Sequence, residues 1–146
     1  MKLRPTKILV GVDGSAPSYA ALDYACELAT GLGAEIAAIV VRHIPPHVAG
    51  YVSDEMMART EEYYQKILNQ ARAHCDRCGA CLQAVLVDGH PVVAIADYAR
   101  NNGYDLIVVG SRGLDGLTRW FVGSTAEGLI REAHCPVVVY RAPSGT

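Results

Sequence analysis

The segment Gly110–Thr125, GSRGLDGLTRWFVGST, concentrates the residue types that hold phosphate. Gly110, Gly113 and Gly123 allow sharp turns and a close approach of main chain to a ligand, because a Cβ would block either. Ser124 and Thr125 add hydroxyls, and Arg112 and Arg119 add positive charge. The apolar run Leu106-Ile107-Val108-Val109 leads into the segment, and a helix-like stretch, Ala126 to Ala133, leaves it. The segment therefore joins the end of a buried strand to the start of a helix. At such junctions open α/β sheets bind ligands, and free helix N–H groups meet anions. Glycines, hydroxyls and arginines at this place describe a phosphate cradle. The same letters also fit a plain glycine-rich turn, since Ser124-x-x-Glu127 matches a capping box, which needs no ligand.

A second chemical candidate is Cys75-x2-Cys78-x2-Cys81, next to His74. Three thiols at this spacing suggest a metal. However, Cys75 and Cys78 continue the apolar stripe Tyr64, Leu68, Ala71 at helical spacing, and cysteine is often buried, so core filling accounts for two of the three. No further Cys/His pair with zinc-finger spacing accompanies them. The total of five cysteines, an odd number, fits a reducing compartment better than a disulfide framework. Reduced, metal-free thiols are the expectation. His43 and His47, in a loop with Pro45 and Pro46, read as solvated residues rather than metal ligands.

The elements that must position the cradle can be read from hydrophobic periodicity. Lys7–Val12 is a short buried strand, followed by the turn Asp13-Gly14-Ser15 and a helix with Pro17 in its first turn. Leu22, Ala25, Cys26 and Ala29 form the inner face of that helix, which Gly31 and Gly33 end. Glu35–Val41 is almost wholly apolar, as in a parallel strand covered on both faces. A second helix, capped by Asp54 and closed by Gly79, carries the cysteine stripe. Cys81–Val87 is the third strand. Asp88-Gly89-His90-Pro91 turns into a third helix that ends at Gly103. Leu106–Val109 is the fourth strand, and the fourth helix, stopped by Pro136, leads to a fifth strand at Val137–Tyr140. Strand and helix thus alternate four times before the last strand. This predicts a doubly wound, five-stranded parallel sheet of order 3-2-1-4-5, Rossmann-like, with helices on both faces. The ligand crevice then opens beside Asp13 and Gly110, where chain direction across the sheet reverses.

Composition narrows the function. A chain of 146 residues fits one domain, 1–146, and 51% hydrophobic against 19% charged residues indicates a globular protein. A net charge of -2 argues against nucleic acid as a partner. Apolar runs such as Ile36–Val41 are too short to span a membrane. Asp13 interrupts the apolar start before a signal-peptide core is reached, which points to the cytoplasm. There is no P-loop, no G-x-G-x-x-G and no G-x-S-x-G elbow.

The pattern Gly110-x2-Gly113-x9-Gly123-Ser124 resembles the G-x2-G-x9-G-[ST] motif of the ATP-binding branch of the universal stress protein family. The resemblance extends through ILVGVDGS near the start, DLIVVGSRG at the fourth strand and HCPVVVY at the end, and covers essentially the whole chain. It implies ATP as ligand, with Mg2+ or Mn2+ as the accompanying cation. Val12 and Asp13 would line the nucleotide, with Asp13 near the ribose or the metal, and Val41 would meet the adenine through its backbone. Gly110, Gly113, Gly123, Ser124 and Thr125 would surround the phosphates. Arg112 and Arg119 are of the type to pair with them, against the more common outcome of exposed, solvated arginines. Trp120, in the spacer, receives no ligand role. The reading is a stress-response regulator or sensor for which ATP is a bound switch with weak or no hydrolysis. The alternatives are an interaction module of the same fold that binds no nucleotide, or a slow ATPase or nucleotidyl-transfer enzyme. No SGGxDS-type loop or HxGH-type pair supports the transferase. The resemblance also implies a homodimer. Val137–Tyr140 is its expected seam, as an apolar edge strand without charge or proline. A further protein partner would read the occupied state.

Overall fold

The structure, a computed structural model, describes residues 3–43, 50–111 and 123–143, the side chain of Leu82 aside. The strands are β1 (Lys7–Gly11), β2 (Glu35–Arg42), β3 (Cys81–Asp88), β4 (Leu106–Gly110) and β5 (Val137–Tyr140). Helices α1 (Ala16–Leu32), α2 (Asp54–Arg77), α3 (Pro91–Asn101) and α4 (Ser124–Glu132) connect them. All neighbouring strands pair in parallel, in the order β3-β2-β1-β4-β5 expected from the strand–helix alternation.

The near-absence of polar residues in the central strands follows from coverage on both faces. Ile8, Val10, Ile36, Ala38, Val40, Leu106 and Val108 point to one side, where α1 and α2 pack with Leu22, Ala25, Ala29, Ile67, Leu68 and Ala71. Leu9, Ala37, Ile39, Ile107 and Val109 point to the other, against Ile95, Ala96 and Ala99 of α3 and Ala126 and Leu129 of α4. The period-two alternation of each strand thus feeds two separate cores.

Local signals set the helix ends. Ser15 caps α1, its hydroxyl accepting the Ser18 N–H at 3.3 Å. Gly33, in the left-handed region at φ 67°, closes the helix. For α2 the cap is Ser53, not Asp54: the Ser53 hydroxyl accepts the Met56 N–H at 3.2 Å. Asp54 instead begins the helix, where its negative charge suits the dipole. The C-terminal end differs too, with Cys78 rather than Gly79 closing α2.

That early end corrects the expectation of reduced thiols. Cys75 and Cys78 are both buried, as core filling requires. Yet Cys75 is joined to Cys81 in a disulfide, while Cys26, Cys78 and Cys135 are free. The chain leaves the helix after Arg77 and turns back at once. The first residue of β3 then lies beside the last turn of α2, with Cα atoms 5.0 Å apart, a separation suited to a disulfide.

Candidate functional site

Beyond the carboxyl ends of β1 and β4 the chain diverges to opposite faces of the sheet, and a cavity of about 230 Å³ lies in the fork. Val12, the residue after β1, is held in place by donating its N–H to the Ile39 carbonyl at 2.9 Å. Asp13 follows and faces the cavity. Its Oδ1 accepts from the Ser15 N–H at 2.9 Å and from the Ser15 hydroxyl at 2.5 Å. Its own N–H donates to Ser18 Oγ at 3.3 Å, and Ser18 Oγ donates to the Ser15 carbonyl at 2.8 Å. These bonds tie the carboxylate to the first turn of α1 and orient it before any ligand arrives. The charge is felt nearby: burial, then the Asp13 carboxylate and Tyr63, push the Tyr19 phenol above its ordinary range. Tyr19 therefore stays a donor, to Gln70 Oε1 at 2.8 Å.

On the opposite side, Gly123 is the N-cap of α4, and no side chain among the described residues caps that end. This corrects the capping-box reading, because Ser124 is already inside the helix. The first helical bond runs from the Glu127 N–H to the Gly123 carbonyl at 2.9 Å. The N–H groups of Ser124, Thr125 and Ala126 precede that first bond and so have no carbonyl within the helix to meet. Gly123, Thr125 and Ala126 line the cavity. Uncommitted N–H groups at the positive end of a helix dipole suit an anion.

Gly110 serves the site differently from expectation. It has no positive φ. A Cβ there would lie 2.5 Å from the Pro17 carbonyl oxygen and 2.7 Å from its carbon. Its missing side chain is what lets the end of β4 touch the first turn of α1.

Six of the residues singled out from sequence, Val12, Asp13, Val41, Gly110, Gly123 and Thr125, line this one cavity. Ser124 lines an adjoining groove between α3 and α4, with His43 and His90. Arg112 and Gly113, with Arg119, Trp120, Pro45, Pro46 and His47, lie outside the described residues. Sequence reasoning missed Tyr63, Tyr64, Ser15, Ser18, Ser111 and the role of His43, all of which line the cavity. Tyr63 and Tyr64 meet edge to face, with ring centroids 5.2 Å apart. His43 Nδ1 lies 3.1 Å from the Gly89 carbonyl, and its ring meets His90 edge-on. Arg42, the residue after Val41, clamps Asp88 through Nε at 2.6 Å and Nη2 at 3.0 Å, and reaches Glu61 at 3.1 Å. The guanidinium holds the Asp88 carboxyl below the usual carboxylate range. This clamp ties the Val41 end of β2 to β3 and to α2.

An aromatic wall, a fixed carboxylate and an open helix N-terminus thus converge at the switch point of a doubly wound, Rossmann-like α/β domain. The model of the universal stress protein family matches residues 5–141, and the chain belongs to that family. It is 34% identical over 140 residues to universal stress protein MJ0531 of Methanocaldococcus jannaschii, across 94% of this chain and 82% of the relative. Among solved structures, UspA of Lactobacillus plantarum is similar with a TM-score of 0.74 and 28% identity, over 96% of this chain and 100% of that one. A universal stress protein from Archaeoglobus fulgidus, solved in complex with dAMP, is similar with a TM-score of 0.63 and 26% identity, over 95% and 98%. Among the described residues, no helix is long and apolar enough to cross a membrane, and no cluster of His, Cys, Asp and Glu has the arrangement of a metal site.

Proposed function

We propose that the switch-point cavity binds an adenine nucleotide, ATP with Mg2+ or Mn2+, and that the domain is a cytoplasmic stress-response regulator whose signal is the occupied site. The observation that carries this reading is the N-terminus of α4, uncapped by any described side chain, lining one cavity with the oriented carboxylate of Asp13. The helix end suits the phosphates, through the main chain of Gly123, Ser124 and Thr125, with Gly110 lining the same cavity; the motif assigns Arg112 and Gly113 to the same phosphates. Asp13 suits the ribose hydroxyls or the cation, and Val12 and Val41 suit the sugar and base. The dAMP complex of the Archaeoglobus fulgidus relative supports an adenine nucleotide of some form. Of the two acids near the cradle besides Asp13, Asp115 lies outside the described residues, and Glu127 is exposed and pairs with Arg131 at 3.8 Å. It is therefore not aimed at a water that could attack the γ-phosphate, and binding without transition-state contacts gives affinity without rate.

Calorimetric titration with Mg·ATP tests this. Saturable one-to-one binding is expected, with single-turnover hydrolysis well below the roughly 1 s⁻¹ at the low end of ordinary enzymes. Tyr63→Ala should weaken ATP by about tenfold, within the ~1–3 kcal/mol that stacking a base on an aromatic ring contributes. No heat of binding for ATP, ADP or AMP would defeat the reading, and hydrolysis at enzymatic rates would replace the switch with a catalyst.

The same reading includes a homodimer through β5. That strand is at the sheet edge and all four of its residues are half-buried apolar side chains. Among the described residues its outer edge pairs with no strand, which offers a ladder to a second copy, and twofold symmetry makes that copy the natural partner. Light scattering at micromolar concentration should give twice the chain mass, and Val138→Lys should give the single mass. A monomeric wild type would refute the dimer; a dimer that persists in Val138→Lys would place its interface elsewhere.

A further inference from the structure

The C-terminal end of α2 carries chemistry that nucleotide binding does not use. Cys75, in the last turn, is bonded to Cys81, the first residue of β3. Cys78 sits midway, donating its N–H to the Cys75 carbonyl at 2.9 Å and accepting the Cys81 N–H at 3.0 Å. The Cys78 thiol meets the Cys26 thiol of α1, and both line a groove between the two helices. Four sulfurs from three elements are therefore gathered at one end of the fold. Their access differs: Cys26, Cys75 and Cys78 are buried, whereas Cys81 is only half-buried. The bridge spans a sequence separation of 6, and so short a ring constrains the unfolded chain less than a long one would.

We propose that this cluster is a thiol–disulfide exchange site for low-molecular-weight thiols, with Cys81 as the sulfur attacked. Access selects which sulfur reacts. The incoming thiolate forms a bond to Cys81 Sγ while the Cys75–Cys81 bond breaks; the electron pair leaves on Cys75 Sγ, which takes up a proton. A second small thiolate attacks the sulfur of the first, releasing the Cys81 thiolate, which is protonated in turn. In net form the protein disulfide and two small thiols give two protein thiols and one small disulfide, and the reverse reaction restores the bridge. Cys26 is a packing partner, since burial and the adjacent Cys78 hold its thiol far above the ordinary range and keep it protonated. A chain with this bridge would report the thiol poise of its compartment independently of the nucleotide.

Alkylation in denaturant followed by intact mass tests the first half. Protein purified without reductant should take three labels, at Cys26, Cys78 and Cys135, and all five cysteines should label after reduction. Natively folded protein in buffers of reduced and oxidised glutathione should then show one reversible two-electron transition between these forms. In Cys75→Ser, oxidised glutathione should form a mixed disulfide that peptide mapping places on Cys81. Five labels before reduction, or a bridge that glutathione reduces only in denaturant, would overturn the proposal. So would a mixed disulfide on Cys78 with none on Cys81. Should Cys75→Ser not fold, the wild-type transition decides.

Discussion

Gly110→Ala is expected to lower stability by about 3 kcal/mol, the upper part of the usual range for overpacking. For a domain of this size that is a fall of roughly 10 °C in Tm. The reason is what the new methyl group would meet. Its nearest neighbours are the Pro17 carbonyl at 2.5 and 2.7 Å and the Ser18 nitrogen at 3.1 Å. All three are main-chain atoms at the start of α1, so no side chain can rotate away. Relief requires moving the first turn of α1 off the end of β4. That turn includes Ser15 and Ser18, which hold Asp13, so nucleotide affinity should fall together with stability. Gly31→Ala is the control: a Cβ there meets nothing within 4 Å, and the position lies inside α1. It should be neutral or stabilising by about 0.5–1 kcal/mol. Thermal and urea unfolding of the two variants would settle the matter. Equal Tm values would mean that β4 and α1 are not in the contact described.

The strands were legible because both faces of the sheet are covered. A run such as Ile36-Ala37-Ala38-Ile39-Val40 has no polar position and can be little else between a glycine-marked turn and a proline-marked loop. Strand order followed from right-handed crossovers together with the doubly wound template in which direction reverses after β3. Helix starts were less legible, since adjacent residues compete for the cap. Ser53 and Asp54 are both good capping types, and the choice falls to the side chain that reaches the Met56 N–H. At α4 the favoured cap type, Ser124, loses to Gly123, whose φ of -51° and ψ of 155° already make it the last extended residue. Composition could not show this. The extended backbone at Gly123 decides it.

The site divides in the same way. Residues adjacent to strand ends, Val12, Asp13, Val41 and Gly110, could be placed because topology alone brings strand ends together. Tyr63 and Tyr64 could not, because they reach the cavity from the middle of α2. Tyr64 continues the stripe of Leu68 and Ala71 and packs against the core like them. The usable signal was that Tyr63 is aromatic and off the apolar stripe of α2; the structure leaves it 58% exposed. The disulfide was hidden for another reason. Cys75 read as core filling and the odd cysteine count read as a reducing compartment, so the turn that sets Cys75 beside Cys81 gave no signal of a bridge.

Gly123→Val is expected to reduce ATP affinity at least a hundredfold while changing stability by about 1 kcal/mol or less. The two effects separate because Gly123 differs from Gly110. Its backbone angles are open to any residue, so valine brings no conformational strain. The cost to the fold is the poorer start of α4, since valine is a weaker N-cap than glycine. The ligand meets a larger obstacle. Hydrogen bonds from the first N–H groups of α4 require phosphate oxygens at about 2.7–3.2 Å, and Gly123 lies on the cavity wall where those oxygens must pass. An isopropyl group there fills the approach and leaves the N–H groups facing hydrocarbon. Ser124→Ala is the companion variant. Its hydroxyl lines the adjoining groove and caps nothing, so ATP should bind within a few-fold of wild type. Titration of both variants beside a far-UV spectrum and a melting curve gives the answer. A folded Gly123→Val protein that binds ATP like wild type would remove the phosphates from the end of α4. The Asp13 side of the cavity would then be left without an anion-binding counterpart among the described residues.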